Sequence, residues 1–252
     1  MLRPILTEKA WDNLIKILRD IGCYVTDNLR GSVEGILWRI RTGSPWRDVP
    51  ENFGNWNSIY KLYSRWNFTG KLDAILESVE GKIDYRTAYI DGSYVSVHQH
   101  ASGAHKEKES AIGTSRAGET TKIHAVCDRK GNPVLIEITA GDVSDITQAD
   151  KMKDDLVAVF SELVADKAYD SDAFRIDLME EGCIPCIPTK SNSTRKNPGF
   201  HKSKYKKRHR VENLFARLKH FRGIATRYDK LKTMYAGSVK IGLICFWLGL
   251  RV

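Results

Sequence analysis

The sequence predicts an α/β fold in two parts, a small all-α domain over residues 1–80 and a mixed sheet flanked by helices over residues 81–252. Two observations lead to this prediction. Up to about Glu80, apolar residues recur at helical spacing, and no stretch alternates as a strand would. After Lys82, alternating β-branched segments come first, and helices and strands then follow one another along the chain.

The first part predicts three or four short helices. One follows the start signal at Thr7 and stops at Gly22, a second stops at Gly43, and two more fall within residues 54–70 and 72–80. Exposed Arg and Lys on such helices resemble a helix-turn-helix arrangement that enters a DNA groove. A plain helical bundle that serves only for packing explains the same pattern equally well, so both interpretations stand.

The second part begins with a predicted strand in "RTAYIDGSYVSVHQH" and a hairpin at residues 122–141 around the turn "DRKGNP". A helix at 145–160, a short buried strand in "ELVAD", a capped helix at 171–182 and an edge strand in "CIPCIP" follow. Three antiparallel strands followed by this alternation form the strand order of the ribonuclease H fold. In that fold the first and fourth strands lie side by side.

The composition is typical of a folded protein, with 42% hydrophobic residues. Five scattered cysteines, an odd number, predict reduced core thiols in a cytoplasmic protein. A DNA partner would make that location nucleoid-associated. Residues 1–20 are amphipathic with charges throughout, a pattern that does not predict a signal peptide. The most apolar stretch, residues 234–250, is short for a membrane span and predicts a buried C-terminal helix.

Positive charge is concentrated in one segment. Residues 190–232 contain 15 Lys and Arg and two carboxylates, a net charge of +13; the whole chain has +9, so the remainder is −4. Such a segment is the electrostatic pattern of a nucleic-acid partner. A solvated linker explains it poorly, because apolar residues run through the segment at helical spacing.

A helix is predicted from Tyr205 onward, and Glu212 is the one acid on its polar side. At about 100° per residue, Tyr205, Arg208, Glu212 and Lys219 lie on one stripe, opposite the apolar side chains. A salt bridge between Arg208 and Glu212, four residues apart, explains this acid on spacing alone. The alternative is that Glu212 meets other carboxylates.

Two acids are candidate carboxylates that could lie close to Glu212. Asp91 lies inside the first predicted strand, where an acid is disfavoured, and Asp166 ends the short buried strand. If these strands are neighbours, both carboxylates reach one rim of the sheet under the Glu212 helix. Three carboxylates together require a cation, and hard oxygen ligands favour Mg²⁺, with Mn²⁺ as a substitute. Two such ions about 4 Å apart promote phosphodiester cleavage. The surrounding basic residues would hold DNA phosphates, namely Lys206, Lys207, Arg210, Arg217 and Arg222.

The chain resembles bacterial insertion-sequence transposases with a DDE site, of the insertion sequence 5 family. Tyr205, Arg208, Glu212 and Lys219 match the signature Y-x2-R-x3-E-x6-K of that family. Blocks such as "YIDGSYVSVHQHASG", "GNPVLIEITAGDVSD" and "LVADKAYDSDAFR" are similar to successive blocks of the family. The upstream segment "WRIRTGSPWRDVPENFGNW" is similar as well, so the resemblance covers nearly the whole chain.

The resemblance implies that Asp91, Asp166 and Glu212 form the catalytic, metal-binding triad. It also implies that Tyr205, Arg208 and Lys219 contact DNA or organise the site. The implied reaction is cleavage at inverted-repeat ends by water, followed by attack of the freed 3′-hydroxyl on target DNA, with at least a homodimer on double-stranded DNA. The N-terminal helices resemble a domain that takes part in recognising element ends. Two alternatives stay open: a metal nuclease of the same fold, and a non-catalytic DNA-binding remnant that represses.

Overall fold

The computed structural model describes residues 4–103, 110–116, 118–190, 197 and 200–250. Its contacts group the chain into two compact units. The first combines Met1–Gly81 with Val97–Ser110 and Leu218–Val252, and the second combines Lys82–Ser96 with Ala111–Arg217. The C-terminal helices therefore group with the N-terminal ones. The division into domains at residue 80 stays a prediction.

Helices and strands follow one another largely in the predicted order. The helices are α1 Glu8–Asp20, α2 Leu29–Thr42, α3 Trp56–Phe68, α4 Lys71–Val79, α5 Gln99–Ser102, α6 Asp145–Val157, α7 Asp172–Glu180, α8 Lys202–Tyr205, α9 His209–Lys219, α10 Arg222–Ala225 and α11 Lys232–Trp247. The strands are β1 Thr87–Val97, β2 Gly113–Ser115, β3 Gly118–Cys127, β4 Pro133–Ala140, β5 Glu162–Val164, β6 Ile184–Cys186 and β7 Thr226–Arg227. Short 3₁₀ turns occur at Trp46–Asp48, Glu51–Phe53, Lys167–Tyr169 and Lys206–Arg208.

The first unit is helical and includes α11, which is buried over most of its length. Thr7 caps α1, since its hydroxyl oxygen accepts a hydrogen bond from the Ala10 N–H at 3.2 Å. Tyr63 of α3 donates its hydroxyl hydrogen to the Met234 carbonyl oxygen of α11. A helix that is apolar all round needs burial on every side, and packing among the other helices gives α11 that environment. Within the described ranges, none of the helices has the length and apolar character that crossing a bilayer requires.

The second unit contains a mixed sheet in which β3, β1, β5 and β6 are successive neighbours, and β2 and β4 both pair with β3. The β1–β3 pair is antiparallel, whereas the β1–β5 and β5–β6 pairs are parallel. This arrangement confirms the predicted α/β fold of the ribonuclease H type, including the contact between the first strand and the short buried strand. β6 lies at the edge, where its Pro185 does not interrupt a ladder on both sides.

The two faces of the sheet differ because side chains alternate along β1. Ala88 and Ile90 belong to a buried cluster that also contains Leu156 of α6. Tyr89 and Asp91 therefore point to the opposite face. There the guanidinium of Arg210, in α9, lies 5.9 Å from the Tyr89 ring centroid. Asp91 thus faces the basic helix and not the apolar core.

The prediction of one unbroken helix from Tyr205 was wrong. Tyr205 ends α8, residues 206–208 form a 3₁₀ turn, and α9 begins at His209. A 3₁₀ turn has three residues per turn in place of 3.6, so the angles drawn on an ideal α-helix do not hold for Tyr205 and Arg208.

Two acids beside helix starts, Asp145 and Asp170, do not cap those helices. Ser144, not Asp145, caps α6, because the Ser144 hydroxyl oxygen accepts a hydrogen bond from the Thr147 N–H at 3.3 Å. Asp170 does not cap α7 but forms a buried ion pair with Arg175 at 2.9 Å. Asp145 also has a cationic partner, Lys122. Both acids therefore form ion pairs and do not act as helix caps.

Candidate active site

Asp91 and Asp166 occupy equivalent positions on neighbouring strands. β1 and β5 run parallel, and Tyr89 lies opposite Val164 in their register. Asp91 and Asp166 each follow two residues later, so both side chains emerge on the same face, from strands about 4.8 Å apart. Asp166 keeps an extended backbone, and its Oδ1 accepts a hydrogen bond from the Ala168 N–H at 2.7 Å. The two carboxylates are therefore neighbours at the end of β5.

Arg208 joins Asp91 to Glu212. Its Nη1 donates to Asp91 Oδ2 at 2.7 Å, and its Nη2 donates to Glu212 Oε1 at 2.5 Å. The Glu212 side chain is 51% exposed, whereas those of Asp91 and Arg208 are 20% and 18% exposed. The structure thus brings the three predicted carboxylates to one face of the sheet, with a cationic side chain between two of them.

Burial and the positive charge of Arg208 shift the pKa of Asp91 in opposite directions. Burial raises the pKa of its carboxyl group, and the negative charge of Asp166 raises it further. Arg208 and the Gly92 N–H lower that pKa, yet it stays above its ordinary value. For Arg208, burial lowers the pKa, but Asp91 and Glu212 more than offset this and raise it. The Asp91 carboxylate therefore depends on a nearby cation.

The predicted triad is not a preformed metal cluster. Among the residues that the structure describes, no three His, Cys, Asp or Glu side chains converge in a way that could hold a metal ion. The Arg208 guanidinium separates Asp91 from Glu212. The donors still fit a hard divalent cation, because all three are carboxylates and the Asp91 carboxyl is destabilised in its charged form. A cation at this site would take over the charge that Arg208 now supplies.

Tyr205 supports Arg208 from the preceding turn. Its ring centroid lies 6.0 Å from the Arg208 guanidinium carbon and 5.4 Å from the ring centroid of Phe200. Lys219 lies two helical turns beyond Glu212, about 10 Å along α9, and burial lowers its pKa. The structure therefore brings Tyr205 to the carboxylate site and places Lys219 farther along the helix.

The other predicted DNA-binding residues differ in exposure. Arg210 is half-buried, whereas four side chains are exposed, those of Lys206, Lys207, Arg217 and Arg222. Lys206 and Lys207 lie in the 3₁₀ turn next to Arg208. Arg222 lies in α10, within the first unit. The exposed cations thus begin beside the carboxylate site and continue along the chain.

A second charged cluster, which was not predicted from the sequence, lies on the other face of the sheet. Lys122, only 2% exposed, donates from Nζ to Asp145 Oδ2 at 3.0 Å. His124 Nε2 hydrogen-bonds to Thr139 Oγ1 at 2.9 Å, and its Nδ1 lies 3.6 Å from Asp145 Oδ1. Lys122 and His124 lie on the same face of β3 as apolar Val126, at alternate positions of a strand that is buried on both faces. Polar side chains at the same alternate positions of the strand as an apolar residue were the feature of the sequence that could have indicated this cluster.

His124 is neutral near pH 7. Burial lowers its pKa to about 4, and the positive charge of Lys122 adds to this effect. Its contact with Asp145 is therefore not an ion pair at neutral pH, although a protonated ring there would make one. Gly92, next to Asp91, makes room for the cluster, since a Cβ atom at that position would lie 2.1 Å from Asp145 Oδ1.

Tyr169 belongs to the buried cluster that also contains Ile90 and Val126. It is fully buried, and its hydroxyl group has no hydrogen-bond partner within the described part of the chain. Burial raises its pKa, and the charges of Asp145, Asp91 and Asp166 raise it further. The segment "ADKAYDS" contains this tyrosine three residues after Asp166, but nothing in its local pattern indicates that position.

Comparison with known proteins identifies the family. Residues 82–237 match the family described as "Transposase DDE domain", and residues 6–76 match "Putative transposase of IS4/5 family (DUF4096)". The chain belongs to the DDE transposase family. The resemblance to insertion-sequence transposases is thereby confirmed, and with it the ribonuclease H-like character of the sheet domain.

Two relatives of this DDE transposase chain are named for insertion sequences. "Putative transposase for insertion sequence element IS6501" of Brucella ovis is 36% identical over 133 residues, which cover 51% of this chain and 98% of the relative. "Putative transposase for insertion sequence element IS402" of Burkholderia cepacia is 31% identical over 150 residues, 55% of this chain and 68% of the relative. Both names agree with the family assignment.

Proposed function

We propose that this protein cleaves the inverted-repeat ends of its own insertion sequence and joins the freed 3′-hydroxyl ends to target DNA. The observation that supports this most is the position of Asp91, Asp166 and Glu212 on one face of the sheet, beside a basic segment. Membership of the DDE transposase family supports the same reaction, because transposase domains of this kind generally use divalent metal ions on DNA.

The carboxylates are assigned to metal binding. Asp91 and Asp166 would hold a divalent ion, Mg²⁺ or Mn²⁺, and Glu212 would join them after its bond to Arg208 is released. Such ions supply Lewis acidity for activating the attacking oxygen and stabilising the leaving oxygen. The protein's own contribution is position, since the parallel pairing of β1 with β5 fixes the two aspartates on adjacent strands.

Arg208 is assigned an exchange of partners. Its guanidinium binds two carboxylates, each through a different nitrogen. A DNA phosphate offers two oxygens with similar geometry and charge, and guanidinium binds phosphate in the same bidentate way. Release of Glu212 would then accompany the arrival of DNA. Tyr205 would hold Arg208 in place, and the exposed lysines of the 3₁₀ turn would bind neighbouring phosphates.

The DNA substrate also bears on the oligomeric state of the protein. Joining requires that two element ends meet, so we propose that the protein acts on double-stranded DNA as a homodimer or a larger assembly. The N-terminal helices, with exposed Arg and Lys, would take part in recognising the ends.

The test is a cleavage and joining assay on a supercoiled plasmid that contains this gene with its own flanking DNA. Purified protein is incubated with Mg²⁺ or Mn²⁺, and cut and joined positions are mapped on both strands. Glu212→Gln removes one proposed ligand while it preserves side-chain size. Glu181→Gln is the matched control, because it makes the same change at an exposed site beyond α7.

We expect paired cuts at inverted repeats and joined products for the wild type and for Glu181→Gln, and neither for Glu212→Gln. DNA affinity of Glu212→Gln should be equal or slightly higher, because a negative charge leaves a basic surface. Joining by Glu212→Gln at the wild-type rate would refute the assignment. Cuts without joined products would indicate a nuclease, and metal-independent binding without cuts would indicate a repressor.

A further inference from the structure

The first unit contains a cavity of about 830 Å³ that the proposed chemistry does not use. Residues between 39 and 56, which belong to the upstream block noted in the sequence, form much of its wall together with Tyr60. Residues 98–100 and 228–231 complete the wall from other parts of the same unit. The volume is within the range of pockets that bind small organic ligands, so a nucleobase with its sugar and phosphate would fit.

The walls of this cavity are unusually aromatic. Rings contributed from three separate segments line it, namely Trp46, Trp56, Tyr60, His98, His100 and Tyr228. Trp46 packs edge-on to Tyr60 with centroids 5.4 Å apart, and His98 lies 4.9 Å from Tyr228. Trp56 and Tyr60 are half-buried and not fully packed, so part of each ring is accessible. Such rings can stack on a flat heterocycle.

Positive charge accompanies the rings. The guanidinium carbon of Arg47, an exposed side chain, lies 5.5 Å from the Trp56 ring, and exposed Lys230 lines the cavity as well. Arg39, 3% exposed, pairs with Asp229 at 3.2 Å, but its Nε and Nη1 have no hydrogen-bond partner in the described part of the chain. Since Asp229 offsets only one of these three cations, the cavity favours an anionic occupant.

We infer that this cavity binds an unpaired nucleotide of a DNA strand, with the base against Trp56 and the phosphate near Arg47 and Lys230. A base inside a duplex is covered on both faces by its neighbours, so rings in a concave wall can reach only a base that has left the stack. The inference rests on the proposed function, because DNA cleavage at element ends exposes such bases. Aromatic rings with interleaved cations are the usual means of holding single strands.

The experiment measures binding of the full chain to a fluorescent single strand, dT12, and to a 12-base-pair duplex by anisotropy, in EDTA to exclude cleavage. Trp56→Ala removes the stacking ring, and Trp56→Phe restores a smaller ring. Phe68→Ala is the matched control, since Phe68 lies in the same helix, is 60% exposed and does not line the cavity. Unlabelled dTMP as a competitor distinguishes a free-nucleotide site from a strand site.

We expect Trp56→Ala to weaken dT12 binding about tenfold, within the range for loss of one stacked base, with little change in duplex binding. Trp56→Phe should recover most of the affinity, and Arg47→Ala should reduce the salt slope for dT12 by about 0.7. Unchanged dT12 binding by Trp56→Ala would overturn the inference, as would an equal loss for duplex. Displacement of dT12 by micromolar dTMP would overturn the strand assignment.

The two proposals can fail separately. If the plasmid is cut and joined but dT12 binding does not depend on Trp56, the cavity assignment alone is wrong. If dT12 binding depends on Trp56 but no plasmid is cut, the strand site stands and the catalytic proposal fails.

Discussion

Acidification should destabilise this protein through His124. The folded-state pKa of His124 is about 4, below its ordinary value of 6.5, because the ring is 1% exposed and lies near the positive charge of Lys122. Between these two values the unfolded chain binds the proton more readily than the folded chain. Stability from this group is therefore present above pH 6.5 and is lost as the pH falls toward 4.

The loss of stability can be calculated from the difference between the folded-state and ordinary pKa values of His124. Each pKa unit corresponds to about 1.4 kcal/mol, so this difference predicts a loss of roughly 3 kcal/mol in the free energy of unfolding between pH 7 and pH 4. For a chain of this length, that loss lowers the melting temperature by about 6–12 °C. Carboxylates elsewhere also titrate in this range, so the comparison must be made between variants.

The assay compares urea unfolding of wild type and His124→Gln from pH 7.5 to pH 4.5. Glutamine can keep the hydrogen bond to Thr139 but does not titrate. We expect the variant to lose about 2–3 kcal/mol less on acidification. His220→Gln, at an exposed position, serves as the control and should give a curve parallel to wild type.

One result would refute this reasoning. If protonated His124 paired with Asp145, 3.6 Å away, its folded-state pKa would rise and the wild type would gain stability over His124→Gln at low pH. Parallel curves for the two proteins would likewise show that burial does not control this histidine.

Two further predictions concern packing and DNA contact. Gly92→Ala should lower the free energy of unfolding in urea by about 2–4 kcal/mol, because the new Cβ would lie against Asp145 and disturb a buried ion pair. Gly103→Ala is the control, since a Cβ at that position meets nothing within 4 Å. Equal stability of the two variants would contradict this prediction. Lys207→Ala should reduce the slope of log affinity against log salt concentration for duplex DNA by about 0.9, measured by anisotropy. Lys151→Ala, which replaces an exposed lysine of α6, should leave the slope unchanged. Identical slopes for the two variants would show that Lys207 does not contact DNA.

The strand order and the neighbouring positions of Asp91 and Asp166 could be predicted from the sequence. Alternation identifies β1, and the alternation of helices with strands after the hairpin restricts the topology to few choices. The parallel register then brings the two aspartates together. These features follow from local periodicity and from general rules of chain connection, so they do not need the details of packing.

The bridge formed by Arg208 could not be predicted in the same way. The spacing of Arg208 and Glu212 predicted their ion pair, which the structure contains, but nothing in that spacing indicated that Arg208 also donates to Asp91. The pairing of Lys122 with Asp145 joins β3 to the start of α6. Each contact depends on how two elements pack, and no local pattern contains that information.

By itself, the sequence determined the types and order of the elements, the basic segment and the family to which the chain belongs. Local periodicity decides which side of each element is buried, and charge content is independent of folding. Only the tertiary structure decided that C-terminal helices join the N-terminal unit, that a guanidinium lies between Asp91 and Glu212, and that rings from distant segments enclose one cavity. The physical reason is that contacts between residues far apart in the chain are selected by the packing of whole elements, since close-packed interiors admit few arrangements.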